Sequence, residues 1–198
     1  MIKSSYQNIR TNNCLKIKKG GLRTSGHCKK PLISIIVATY NSGKYLEGCL
    51  KSILKQNYKN YEIIIIDNQS KDKTLKIIKK YEKKIDLWIS EKDKGIFDAM
   101  NKGIKHSKGN IISILNSDDI FYPNALKIVS KYFTPNNKID YLFGTVLKKK
   151  LYSGFRPESI RWRFNIYPSH SVGFFVKKKV HNKIGLYNTE YRHSNDYD

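Results

Sequence analysis

The sequence is short of cysteine, of long apolar runs and of acid, and each shortage removes a class of protein. Cys14, Cys28 and Cys49 are an odd set with no CxxC spacing, which argues against a disulfide framework or a zinc site and for reduced thiols in a cytoplasmic setting. The apolar run Ile63 to Ile66 is four residues long and no run exceeds it, whereas a membrane-spanning helix needs roughly 20 residues. No apolar stretch near the start resembles a secretory signal. No G-x-G-x-x-G follows the first apolar segment and no G-x-x-x-x-G-K-[ST] occurs anywhere, which weighs against a dinucleotide-binding dehydrogenase and a P-loop NTPase.

Acid is outnumbered throughout, with 38 Lys and Arg against 16 Asp and Glu and a net charge of +22. Residues 1–30 contain no acid and carry +8, while residues 31–147 and 148–198 carry +7 each. Such a balance favours polyanionic partners: nucleic acid, an acidic membrane surface or phosphorylated substrates. A chain rich in Lys, Asn and Ile everywhere also acquires this charge from composition alone, so both readings stand at this point.

What is present is an alternation. Residues 1–30 are polar and basic, without periodicity, and read as a flexible arm, with order beginning at Pro31. "LISIIVATY" (32–40) and "YEIIIIDN" (61–68) are short, β-branched apolar runs that predict buried strands. "IDLWIS" (85–90) predicts a third and "NIISILN" (110–116) a fourth. Helical spacing separates them: Tyr45, Leu46, Cys49, Leu50, Ile53 and Leu54; then Leu75, Ile77, Ile78 and Tyr81, entered near Ser70–Asp72; then Ile96, Phe97, Met100 and Ile104. Pro123 with Leu126, Val129 and Phe133 predicts a helix after the fourth strand. This order predicts an α/β fold with a mainly parallel sheet covered on both faces. Beyond Asp140, "DYLFGTVL" and "HSVGFFV" read as further strands around an irregular stretch containing "RWRF".

In such a sheet, ligands bind outside the carboxyl ends of the strands. The four strands end on "TYNSG", "IDNQS", "SEKDKG" and "LNSDD", so Tyr40, Asp67, Asp93 and Asp118–Asp119 should gather along one edge. Two adjacent carboxylates beside a phosphate-binding edge suit a hard divalent cation, Mg2+ or Mn2+, which prefers oxygen ligands and relieves the repulsion between them. Taken alone, the same pair can simply begin the helix near Pro123, as acids do.

"SIIVATYNSGKYLEGCLKSILKQNYKNYEIIIIDNQSKDKT" followed by "SEKDKGIFDAMNKGIKHSKGNIISILNSDD" resembles the inverting family 2 glycosyltransferases with the GT-A fold. The resemblance is dense over residues 32–133 and thin beyond, and is strongest to the branch that builds bacterial exopolysaccharide and lipopolysaccharide repeat units. It implies a nucleotide-sugar-binding half, residues 31–133, and an acceptor-side half, residues 134–198, that is incomplete because relatives continue further. It also implies that Tyr40 and Asp67 hold base and ribose, that Asp93, Lys94, Asp98 and Asn101 lie near ribose and diphosphate, that Asp118 contacts the ribose, and that Asp119 binds the metal. Asn116 stands where many relatives have aspartate. Asp196 in "HSNDYD" matches the catalytic base, with Asp198 a weaker candidate, and His170 matches a position in the floor of the acceptor side. Plain alternatives remain: Tyr40 as a packed strand-end ring, Lys94 as a solvated charge, Asp98 and Asn101 paired with each other or with solvent, His170 as an ordinary strand histidine.

The expected function is metal-dependent transfer of a sugar from a nucleotide sugar, a UDP-sugar in the first instance, to a hydroxyl of a glycan or lipid-linked acceptor. The basic surface would suit an anionic membrane, making the protein cytoplasmic or peripheral at the inner face. The alternative is an inactive nucleotide-sugar-binding relative lacking a complete acceptor site. Nucleic acid is not an expected partner, because "RPESIRWRF" is the only stretch interleaving aromatic and basic residues.

Overall fold

The isoleucine runs decide the architecture, because a strand apolar on both sides must be covered on both sides. The computed structural model describes residues 17–26, 32–147, 151–152 and 171–190. In chain order its strands and helices are β1 (Lys18–Gly20), β2 (Ile33–Thr39), α1 (Leu46–Leu54), β3 (Tyr61–Asp67), α2 (Thr74–Lys80), β4 (Leu87–Ser90) and α3 (Ile96–His106). There follow β5 (Ile111–Ile114), α4 (Ala125–Tyr132), β6 (Tyr141–Phe143), β7 (Val146–Leu147), β8 (Leu151–Tyr152), β9 (Phe174–Lys177) and α5 (Lys178–Ile184). A seven-stranded sheet runs β1-β4-β3-β2-β5-β9-β6, and β7 pairs with β8 apart from it.

The centre of the sheet, β4-β3-β2-β5, is parallel, and every residue of these four strands is buried. Alternate side chains serve opposite faces. Ile33, Ile35, Val37, Ile63 and Ile65 meet α1, α2 and α4 through Leu46, Leu50, Ile53, Ile78, Leu126 and Val129. Ile36, Ala38, Ile64, Ile66 and Ile112 meet α3 through Ala99, Met100 and Ile104. Helix α3 sits on the other face because the chain, having stepped outward from β2 to β4, must return past β2 to lay down β5, and right-handed crossovers then require the opposite side. It lies close enough that a Cβ added at Gly103 would collide with Ile36 Cγ2.

Antiparallel strands extend both edges: β1 on β4, and β9 then β6 beyond β5. The expected GT-A architecture, a parallel α/β sheet flanked by helices, is therefore present with a mixed periphery. The third strand is shorter than expected, because Asp86 turns its carboxylate to Ile63 N (2.9 Å) and so caps the neighbouring strand. "DYLFGTVL" divides into β6 and β7 where Gly144 N leaves the ladder to bond Gly173 O (2.7 Å). The helix predicted from Pro123 begins at Ala125, after Asn124 in a left-handed conformation, φ 66°. Among the described residues no helix is long and apolar enough to cross a membrane.

The arm expected to be flexible up to residue 30 contains an ordered piece. Strand β1 pairs with β4 from Lys18↔Ser90 to Gly20↔Trp88, and Gly21 carries the turn that follows at φ 103°. Arg23 then donates to the Glu62 carboxylate and to His106 O (2.6 Å). Glu62, with a side chain 1% exposed, also accepts from Ser34 Oγ (2.5 Å), Lys108 N (2.6 Å) and Gly109 N (3.2 Å). Composition predicted disorder because it registers charge but not a single buried partner. Removing one member of a buried pair leaves an uncompensated charge. Arg23→Ala is expected to lower unfolding free energy in urea by about 3 kcal/mol; a loss below about 1 kcal/mol would show that the segment is a dispensable attachment.

Candidate active site

Strand order reverses between β2 and β5, so the loops leaving their carboxyl ends part and open a crevice. Its walls are held by side chains that address backbone. Ser117 Oγ donates to Ser42 Oγ (2.7 Å) across the crevice. Gln56, 1% exposed at the end of α1, donates to Tyr122 O (2.9 Å) and accepts from Leu126 N (3.2 Å), while Ser52 Oγ accepts from Phe121 N (3.1 Å). The loop after β5 is thereby tied to the helix after β2.

Asp67 is fully buried at the end of β3. Its carboxylate accepts from Ser70 N (3.1 Å), Ser70 Oγ (2.5 Å) and Ser90 Oγ (2.6 Å). Ser70 Oγ in turn accepts from Asn41 N (2.8 Å), Asn41 Oδ1 accepts from Lys71 N (2.9 Å), and Asn68 Oδ1 accepts from Asp93 N (3.0 Å). Asn41 and Gln69 both adopt φ 48° to make these turns. Three strand-end loops thus share one network with Asp67 at its centre. Beside it, Tyr40 projects, 60% exposed, so the packed alternative does not describe it.

The loop after β4 carries more acid. Asp93 accepts from Gly95 N (2.9 Å) at the start of α3. Burial, reinforced by Asp98 and Asp67, lifts its carboxyl above the usual range against the pull of Gly95 N–H and Lys102. Asp98 accepts from Lys94 N (3.1 Å) and pairs with Lys102 (3.3 Å), which also reaches Glu91 (2.9 Å). Burial opposes the Lys102 charge, but those two carboxylates more than offset it and raise its pKa. The Lys94 side chain is exposed. Asn101, 6% exposed on α3, uses its amide on the backbone of Tyr187: Nδ2 donates to Tyr187 O (2.7 Å) and Oδ1 accepts from Tyr187 N (3.0 Å). Asp98 and Asn101 therefore bond other groups, not each other.

Asp118 is exposed and Asp119 half-buried just past β5. Asn116 Nδ2 donates to Asp119 Oδ2 (3.1 Å) and to Ser171 Oγ (3.2 Å), leaving the buried Asn116 Oδ1 without a partner. An amide can donate to a carboxylate where a second carboxylate would repel it, which gives a physical reason for Asn116. Burial, with Asp119 and Asp118 adding to it, pushes the Cys49 thiol beneath them up to about 12, so it stays neutral. Among the described residues no three His, Cys, Asp or Glu side chains cluster for a metal. Two carboxylates and an orphaned amide oxygen still fit a hard cation that completes its shell with ligand phosphates and water. Beyond the aspartates opens a cleft of about 610 Å³ walled by Phe121, Tyr122, Tyr132, Phe143, Val172 and Phe175.

His170 and Asp196 lie outside the described residues. The sequence reading missed Gln56, Asn41, Asn68 and Lys102, which support the loops rather than line the edge. Gln56, Asn41 and Asn68 are polar residues close to a predicted element boundary and Lys102 is a lysine inside a helix, signals too common to single them out.

Residues 34–189 match the family described as Glycosyl transferase family 2. An uncharacterized glycosyltransferase of Rickettsia typhi is 32% identical over 185 residues, 85% of this chain and 57% of that one. The Escherichia coli UDP-Glc:alpha-D-GlcNAc-diphosphoundecaprenol beta-1,3-glucosyltransferase WfgD is 34% identical over 114 residues, 57% of this chain and 45% of that one. Among solved structures, S. aureus TarS 1-349 in complex with UDP has a TM-score of 0.64 at 22% identity, covering 83% of this chain and 52% of that one. The mannosyltransferase PcManGT from Pyrobaculum calidifontis, in complex with GDP-Man and Mn2+, has a TM-score of 0.62 at 20% identity, covering 82% and 49%. The fold is GT-A, and the chain belongs to glycosyltransferase family 2. It spans about half the length of the relatives it matches.

Two measurements follow from this geometry. Gln56→Ala would leave Leu126 N–H unpaired, while Tyr122 C=O keeps the N–H of Ala125 (3.2 Å), at about 1–3 kcal/mol for a buried group; a loss of about 2 kcal/mol in urea unfolding is expected, and none if water replaces the amide. Because the folded pKa of Asp93 lies above its unfolded value near 3.8, its stabilising contribution is complete below that value and is lost as pH rises through the folded one. Asp93→Asn should therefore raise the Tm at pH 7 and change it little at pH 3; a lower Tm at pH 7 would reverse the sign.

Proposed function

We propose that the chain forms the donor-binding part of an inverting glycosyltransferase that moves a sugar from a nucleotide sugar, a UDP-sugar, to a hydroxyl of a glycan or lipid-linked acceptor. The observation that supports this reading is that Tyr40, Asp67, Asp93, Asp98, Asp118 and Asp119 all follow or end the parallel strands β2, β3, β4 and β5, on the side of the sheet where their carboxyl ends lie. Tyr40 offers a ring for a base to stack on, and the Asp67 network fixes the loop around it. Asp93, Lys94 and Asp98 face the ribose and diphosphate, and Asp118 the ribose.

Asp119, oriented by Asn116, would hold Mn2+ or Mg2+ with Asp118. A bound divalent cation would neutralise the charge that develops on the departing nucleoside diphosphate. PcManGT, solved with GDP-Man and Mn2+, supports a metal, and TarS, solved with UDP, supports the uridine nucleotide. Inversion requires a base to take the proton of the attacking hydroxyl, the role given to Asp196, with His170 on the acceptor side. The apolar cleft beyond Asp119 suits the ring face of a sugar or a lipid-linked acceptor, the latter named for WfgD. The +22 charge favours a peripheral position at an anionic inner leaflet, at about 1 kcal/mol per basic residue near the surface.

Calorimetric titration of UDP with and without Mn2+, in the wild type and in Asp119→Ala, tests this reading. Binding that needs Mn2+ and weakens at least tenfold in the variant is expected. Metal-independent binding that the variant leaves untouched would refute the metal role, and binding without any turnover of a UDP-sugar would mark a nucleotide-sugar-binding module.

A further inference from the structure

Asn101 occupies a costly position for an amide. It is buried on α3 among apolar neighbours, Met100 and Ile104 included, where a polar group is tolerated only when it is bonded. Its partner is not a neighbouring side chain but both polar groups of one residue, Tyr187, 86 positions further along the chain. The amide reproduces the two-way exchange that residues on adjacent strands make, at a point where no strand is available. The Tyr187 ring completes the hold, packing against Phe97 in the first turn of α3 (centroids 5.8 Å apart) and against His181 of α5 (5.7 Å). Backbone and ring of Tyr187 are thus both held, the backbone N–H and C=O by the amide of Asn101.

From the reading of this edge as a donor site, we infer that Asn101 is a positioning residue: it contacts no donor and sets the point from which the chain departs after α5. Helix α3 therefore serves two sides. Its first turn presents Asp98 to the donor edge, and one turn later Asn101 anchors the segment that runs on towards Asp196, nine positions beyond Tyr187. No other side chain of similar reach does both tasks, since aspartate lacks the donor, leucine lacks both groups, and glutamine is a methylene too long.

Asn101→Ala and Asn101→Asp in the whole chain test the inference. Readouts are hydrogen exchange at the Tyr187 amide, calorimetric binding of UDP with Mn2+, and release of UDP from UDP-glucose. In Asn101→Ala the amide should exchange at least tenfold faster and UDP release should slow at least tenfold, with UDP affinity and the donor KM within twofold of wild type. In Asn101→Asp the release rate should recover as pH falls, because the introduced carboxyl, once protonated, again donates to Tyr187 O. UDP affinity falling along with release would make Asn101 a donor contact and overturn the inference. So would unchanged release despite faster exchange, which would reduce the clamp to a stability device. A wild type that binds UDP but releases none from UDP-glucose would overturn this inference and leave the donor site standing; one that binds no UDP overturns both.

Discussion

Two-sided burial of the central strands governs everything else in this molecule. A strand flanked by helices above and below has no wet face, so no side chain along β2 or β3 can work in solvent until the strand ends. Polar chemistry is thereby pushed to the ends, and the parallel arrangement puts all the carboxyl ends on one side. The isoleucines of β2 and β3 hold no polar group, yet they fix where polar groups can gather. Helix α3, pressed at Gly103 against Ile36, shows how tight the cover is: the helix that bears Asp98 cannot slide without disturbing the sheet.

At that edge the protein gathers acid in a chain otherwise dominated by lysine, and each carboxylate is held in a different way. Asp67 is saturated by hydroxyl and amide donors, Asp98 is shared between a backbone N–H and Lys102, and Asp119 is oriented by Asn116. Asp93, lifted by burial and by its acidic neighbours, is the least contented of them. Donors neutral in charge, drawn from serine and asparagine, do most of the orienting, which leaves the negative field in place for a cationic or phosphate-bridging ligand.

The parallel centre and the four strand-end motifs were legible because they rest on local pattern: β-branched runs bounded by turn residues, with helical spacing between. The roles of individual residues were less so. Tyr187 has no local signal of its importance, because its partner lies on a helix far away in sequence. Strand β1 was read as part of a flexible arm because lysine-rich composition outweighs a three-residue pairing that only the edge of β4 makes possible. Proline at position 123 marks a helix start by local pattern, but Gln56 bonds both Tyr122 and Leu126 across the left-handed Asn124, and the helix begins at Ala125. In each case a contact distant in sequence prevailed over a local preference.

The placement of β9 has a consequence for how the chain is made. Strand β5 completes the parallel centre, but among the described residues its outer edge is covered by 174–177 alone, which emerge from the ribosome some 60 residues later. At synthesis rates of about 5–20 residues per second, that interval is about 3–12 s. Throughout it, β5 offers an unpaired row of N–H and C=O groups from the middle of the sheet, the kind of edge that recruits a foreign strand. Residues 31–133 are thus not a unit that can close before the rest arrives, and the newborn chain depends on timing, or on a chaperone, at the strand that leads into the aspartate pair.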